Sequence, residues 1–305
     1  MDPTSRNETR GLWLGLLGVV IFAMTLPMTR LAVGSAADPQ LPPLFVTAGR
    51  AAFAGLLSIA YLWVTGAPRV QRRHVPALLA SALGTVVGFP LFLSLALREV
   101  DAMHAAVVTG LMPLATAIGA ALYFRQRPSS GFWICAVLGC AMVLSFAAYK
   151  GSGRLSLADG LLLLAVLSTA VGYVAGARVA TELPAEQVIC WVLVLSLPLT
   201  LPLTAAFWPS QPVRASAWGG FAYVTLFSMW LGFFAWYRGL ALGGTVRVSQ
   251  VQLVQPFLAL LFAVPVLGEH LEPMTVLFSL AVIAVVFVSK KMPTQTLQPL
   301  EPGRP

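Results

Sequence analysis

The amino-acid sequence predicts an all-α integral membrane protein, with ten transmembrane helices arranged as two inverted five-helix repeats. Three observations lead there: a composition that no soluble core accommodates, ten apolar segments of membrane-spanning length, and self-similarity at one constant offset. Of the 305 residues, 58% are Ala, Val, Ile, Leu, Met, Phe, Trp, Tyr or Cys even before the 26 glycines are counted, and only 10% are charged. Soluble domains run at about 45–50% apolar with glycine included, and about 25% charged. A single soluble enzyme, a nucleic-acid-binding domain and a disordered chain are excluded together. The net charge of +8 does not argue for nucleic acid, because the basic residues stand between apolar runs. Cys135, Cys140 and Cys190 fall inside apolar runs without metal-ligand spacing, which makes them packing residues.

A hydrocarbon core of about 30 Å takes about 20 apolar residues per helix. Reading between polar or Gly/Pro breaks gives spans at 11–31, 43–64, 75–97, 102–124, 131–149, 157–179, 186–207, 218–240, 245–267 and 273–289. The connections are too short for an extramembrane domain. They divide the chain into an N-terminal tail (1–10), a first repeat (11–150), a second repeat (151–291) and a Pro-rich tail (292–305) expected to be disordered. Arg6 and Arg10 ahead of an apolar stretch resemble a signal peptide, but the apolar run is too long for one. With the N-terminus in the cytoplasm, thirteen Lys and Arg fall on the cytoplasmic side and five opposite, with Arg50 inside span 2. The positive-inside bias then places both termini in the cytoplasm.

An offset of 143 carries Thr85 onto Ser228, Thr109 onto Gln252, Pro113 onto Pro256 and Gln126 onto Glu269. Five spans per repeat is odd, so the halves must lie antiparallel, an architecture that places a site near the midplane where they meet. The motif that carries the repeat is Ala-Leu or Gly-Leu, then Pro sixteen residues on, then small and apolar residues closing on Leu267-Gly268-Glu269 in the second half. It is similar to the signature of the drug/metabolite transporter superfamily, and more narrowly of its ten-helix branch of paired EamA repeats. The first half closes on Phe124-Arg125-Gln126 and lacks the acid. Arg50 in VTAGRAAFAG matches that family's helix-2 arginine. The opening AMTLPMTRLAVG resembles YddG-type bacterial exporters of aromatic and other neutral amino acids. The resemblance implies a ten-helix basket in a bacterial inner membrane, with a cavity lined by spans 1, 3, 4, 6, 8 and 9.

The eleven acidic residues all lie in tails, loops or helix ends. A carboxylate at midplane is retained only for work such as proton relay. Its absence points away from proton-coupled drug export and toward a facilitator. His104, near the start of span 4, reads as an interfacial histidine. The remaining cavity candidates are neutral: Met24, Thr25 and Met28 in span 1, Ser81 and Thr85 in span 3, and Thr109 in span 4. Thr169 and Tyr173 in span 6, Ser228 in span 8 and Gln252 in span 9 complete the set. Such groups can hydrogen-bond an amino and a carboxylate group while Met and aromatic surfaces take an apolar side chain. The alternative for any Ser or Thr is back-bonding or close helix packing, as for Gly11, Gly15 and Gly18. Pro113 and Pro256 are hinge candidates. Arg50 is expected to snorkel or to cap against the neighbouring repeat; its other reading is a partner for anionic metabolites of the sugar-phosphate or organic-acid type. No cofactor, metal or nucleic-acid partner is implied. The partners are a small-molecule substrate, an amino acid by resemblance, and the bilayer, with the chain a monomer. An intramembrane enzyme would need a buried nucleophile–base pair that the sequence does not offer.

Overall fold

The computed structural model describes residues 3–123, 127–150, 153–180, 182–243, 250–291 and 294–295. Eight helices are long and apolar enough to cross a membrane. They are α1 (Thr9–Val33), α2 (Pro43–Val64), α3 (Arg72–Glu99), α4 (Ala102–Tyr123), α5 (Ser130–Lys150), α6 (Leu157–Ala180), α7 (Glu186–Ala206) and α8 (Ala215–Gly239). Two shorter apolar helices follow, α9 (Val251–Leu267) and α10 (Pro273–Ser289). The fold is thus the expected all-helical, multi-pass membrane architecture. Large apolar side chains such as Trp63 and Leu157 face outward, as a lipid-facing surface requires. The residues mapped at Gln126, the 244–249 stretch and the tail from 296 lie outside the described residues. Thr294-Gln295 pairs antiparallel with Arg127-Pro128.

The helix contacts obey one exchange rule, in which each helix of the first half takes the role of the helix five places later. Helix α1 packs on α8 as α6 packs on α3, and α9 packs on α1 as α4 packs on α6. Helices α2 and α7, α4 and α9, and α5 and α10 pair with each other. That pattern is a two-fold relation between the halves, and an odd number of crossings per half makes it inverted.

Glycine makes the two main crossings close. A Cβ on Gly172 would sit 2.6 Å from Thr85 Cγ2 and 2.8 Å from the Thr85 nitrogen, so α6 and α3 touch backbone to backbone there. In the equivalent crossing, Gly239 of α8 lies against Gly15 and Gly11 of α1, and Gly18 lies against Trp236. This is the small-residue packing by which membrane helices gain van der Waals contact without a hydrophobic driving force.

Irregular backbone also repeats at the offset of 143. Helix α3 turns π-helical over Ala82–Gly88, and α8 does so over Val224–Leu231. Helix α4 breaks after Thr109 and resumes at Met112, with Pro113 second in the new segment. Helix α9 changes from 3₁₀ geometry over Gln250–Val254 to α-helix at Gln255, with Pro256 likewise second. Proline is tolerated in a helix's first turn because those N–H groups lack intrahelical partners anyway. Helix α1 is interrupted at Met24. Residues from these irregular segments or directly beside them line a central cavity.

The closeness of the α3–α6 crossing gives a direct test. Gly172→Ala should destabilise the protein by roughly 1–3 kcal/mol, the usual range for overpacking, and lower its unfolding temperature in detergent. Gly160→Ala, where an added Cβ meets nothing within 4 Å, should leave it unchanged.

Candidate functional site

Where the irregular segments meet lies a small cavity of about 50 Å³, room for a few waters. Its walls come from α1 (Phe22, Thr25, Leu26), α2 (Arg50), α3 (Thr85, Phe89) and α4 (Thr109, Met112), with Thr169 and Tyr173 from α6. Ser228, Met229 and Phe233 from α8 and Gln255 from α9 close it. A neighbouring cavity of about 20 Å³ shares Thr109, Met112 and Gln255 and adds Gln252, Pro113 and Pro256. Both halves therefore contribute to one central seam.

Of the residues singled out in the sequence, Thr25, Thr85, Thr109, Thr169, Tyr173 and Ser228 are brought together around the central cavity. Gln252 and the two hinge candidates line the neighbouring one. Met24, Met28 and Ser81 line neither. Met24 stands at the break in α1. Met28 packs on the core, and Ser81 faces the Gly176 position of α6. Thr85, Thr109 and Thr169 donate to the carbonyls of Ser81, Ala105 and Ala165, four residues back. Back-bonding therefore takes their protons, leaving only acceptor lone pairs for the cavity.

The Thr25 and Ser228 hydroxyls differ, since they bond each other at 2.8 Å across the α1–α8 crossing. Ser228 Oγ also accepts from Arg50 Nη2 at 3.0 Å. Arg50 does not snorkel: it is 2% exposed, lines the cavity and bonds across to the neighbouring repeat. Seven residues into α2, the side chain turns inward, where α8 offers it a hydroxyl.

Periodicity from the singled-out residues would have found most of the other lining groups. Phe22 lies three residues before Thr25, Phe89 four after Thr85, Met112 three after Thr109 and Gln255 three after Gln252. Phe233, five residues after Ser228, follows π rather than α spacing and is explained by Val224–Leu231.

The face carrying the α1–α2, α3–α4, α5–α6, α7–α8 and α9–α10 connections, the distal face, is tied across the halves. Glu269 accepts from the backbone N–H groups of Ala102 (2.7 Å) and Met103 (2.9 Å), capping the start of α4. Burial pushes its carboxyl above the ordinary glutamate range, opposed by those two hydrogen bonds. Arg214 pairs with Asp38 at 2.8 Å and Lys150 with Glu272 at 2.7 Å. His104 Nε2 bonds Asp159 Oδ1 at 2.7 Å, and Asp159 Oδ2 accepts from the Ser156 N–H and hydroxyl. Asp159 is at a helix end, as expected, yet it is only 4% exposed. His104 is buried as well, and is a partner of α6 rather than an interfacial group. On the opposite face, Glu182 bonds His74 at 3.0 Å and Arg73 at 2.7 Å. The His74 hydrogen bond, then Arg73, holds the Glu182 carboxyl below its ordinary value. That tie is therefore present above the ordinary glutamate pKa and lost as pH falls through the depressed one.

Among the described residues no group of three or more His, Cys, Asp or Glu is placed to hold a metal ion. The central cavity holds no carboxylate among its lining residues.

Comparison with known proteins bears on this geometry. The model of the EamA-like transporter family matches the chain twice, over residues 9–147 and 156–290. The chain is 42% identical over 288 residues to the Bacillus subtilis (strain 168) protein named "Uncharacterized transporter YdeK", covering 93% of this chain and 99% of that one. A solved crystal structure superimposes with a TM-score of 0.62 at 20% identity, over 92% of this chain and 98% of the other, a likeness of fold.

The distal pair supplies a stability prediction. His104→Leu should cost about 1–3 kcal/mol, because it leaves the buried Asp159 Oδ1 without its partner. Replacing His104 and Asp159 together by Leu should recover most of that loss. Unfolding of the three proteins in detergent measures both effects.

Proposed function

This chain belongs to the EamA-like transporter family, and on that premise we propose that it is a secondary transporter exporting small neutral metabolites, above all aromatic and other apolar amino acids. The observation that carries the reading is the central cavity. Aromatic and thioether side chains (Phe22, Phe89, Tyr173, Phe233, Met112, Met229) surround a few hydroxyl and amide groups at the meeting of the two halves. Such a mix suits a ligand with an apolar side chain and a small polar head.

The site lies at the seam between the two halves, so loading and release require them to part in turn on either side. Alternating access by rocking one repeat against the other is the proposed route, with Pro113 and Pro256 as hinges at the breaks in α4 and α9. The distal ties across the halves, Glu269 to α4, Arg214 to Asp38, Lys150 to Glu272 and His104 to Asp159, must then part in each cycle. With no carboxylate lining the cavity, the proposed mode is facilitated diffusion down the substrate gradient. The proposed setting is a bacterial inner membrane with both termini in the cytoplasm, which the positive-inside bias of the basic residues supports.

The test is flux in liposomes. Labelled Phe or Trp should enter vesicles containing the protein at equal rates with and without a pH gradient. A rate that follows the proton gradient would remove the facilitator, and no uptake of any amino acid would remove the substrate assignment.

A further inference from the structure

Arg50 is the one charged side chain among the residues lining the central cavity, and its burial is nearly complete. Of its nitrogens, Nη2 bonds Ser228, while Nε and Nη1 are buried with no hydrogen-bond partner among the described residues. None of the ion pairs among those residues includes it. A cation inside a membrane bundle normally meets an acid or spends its donors on backbone carbonyls. Arg50 does neither: it lines the cavity, and two of its donors are unspent. A guanidinium keeps its charge at all working pH values, and its donor fork matches the two oxygens of a carboxylate.

The asymmetry of the site sharpens this. The offset that carries Thr85 onto Ser228 carries Arg50 onto Leu193, a buried apolar residue. The cavity thus has a single cationic point, with no acid anywhere in its lining. An α-carboxylate has a counter-charge waiting for it; an α-ammonium has only neutral oxygens.

We propose that this cavity recognises its substrates through their carboxylate, with Arg50 as the specificity-determining residue. The amino group is dispensable, so apolar monocarboxylates such as 3-arylpropionates and aryl 2-oxo acids are substrates alongside the amino acids. The proposal deepens the transport reading and rests on this cavity being the transport site. Phosphate esters share the anionic head, but one cation in an otherwise uncharged lining favours a monoanion over a dianion.

The test uses the purified full-length protein and ligands that differ only in the head group: phenylalanine, 3-phenylpropionate, phenylpyruvate and phenethylamine, with glycerol phosphate as the phosphate arm. Thermal stabilisation in detergent reports binding, and counterflow in liposomes, corrected with protein-free vesicles, reports transport. The three carboxylates should each stabilise the protein and exchange across the membrane, whereas phenethylamine and glycerol phosphate should not. Arg50→Gln should weaken carboxylate binding at least about tenfold, the usual scale for a lost charge-assisted hydrogen bond. Arg50→Lys should keep part of it.

Phenethylamine binding as well as phenylalanine, stabilisation by glycerol phosphate alone, or an Arg50→Gln protein that binds 3-phenylpropionate unchanged would each overturn the proposal. If 3-phenylpropionate moves and phenylalanine does not, the amino-acid assignment falls and the carboxylate site stands. If phenylalanine moves equally well in wild type and Arg50→Gln, the reverse holds. Should Arg50→Gln fail to fold, the wild-type ligand series decides alone.

Discussion

Inside a membrane bundle, polar groups that water would otherwise solvate are steadied by partners in the protein, and at the centre here two of them meet on one hydroxyl. Ser228 of α8 bonds Thr25 of α1 and receives a hydrogen bond from Arg50 of α2. Those contacts join the first half to the second at the bundle's centre. They also hold a guanidinium where hydrocarbon would otherwise make it prohibitively costly. The crossing on which they sit can be this close because Gly11, Gly15 and Gly18 leave α1 without bulk against α8.

The surrounding irregularities follow from the same constraint. A regular α-helix spends its backbone groups on itself and stays stiff; one with π or 3₁₀ segments, or a break before proline, does not. The protein places such segments in α3 and α8, and in α4 and α9, at positions one offset apart. Irregular backbone at membrane depth is tolerated where protein or a cavity covers it, and these four segments enclose the cavity. Away from the centre the two halves are held by polar ties, including the Glu269 cap on α4 and the buried His104–Asp159 pair. Closure and adaptability are thus assigned to different depths of the same helices.

Most of this architecture was legible in the sequence, since helix length, charge bias and a constant offset are one-dimensional properties. The offset that aligned Thr85 with Ser228 also aligns the π segments, although nothing in the residues announced a π turn. Six of the ten residues singled out for the cavity surround it, because small polar groups in a membrane helix tend to face its interior. Met24, Met28 and Ser81 line other contacts, since the interruption of α1 and the α3–α6 crossing turn them away. Arg50, left open in the sequence between snorkelling, a contact with the neighbouring repeat and a place in the cavity, takes the last two. Distance from a helix end says how far a side chain must reach to water, but not whether a hydroxyl on a distant helix is nearer. Asp159 is the same lesson in reverse, a helix-end acid that is buried because His104 and Ser156 satisfy it.

The account stands on the seam between α1 and α8 being both closed at Thr25–Ser228 and opened during transport. A cysteine-free protein carrying Thr25→Cys and Ser228→Cys tests both parts at once, because hydroxyls 2.8 Å apart imply Cβ atoms near disulfide range. Oxidation should cross-link the pair, stop flux, and release it again on reduction. A pair that never cross-links, or a cross-linked protein that transports at the full rate, would contradict it.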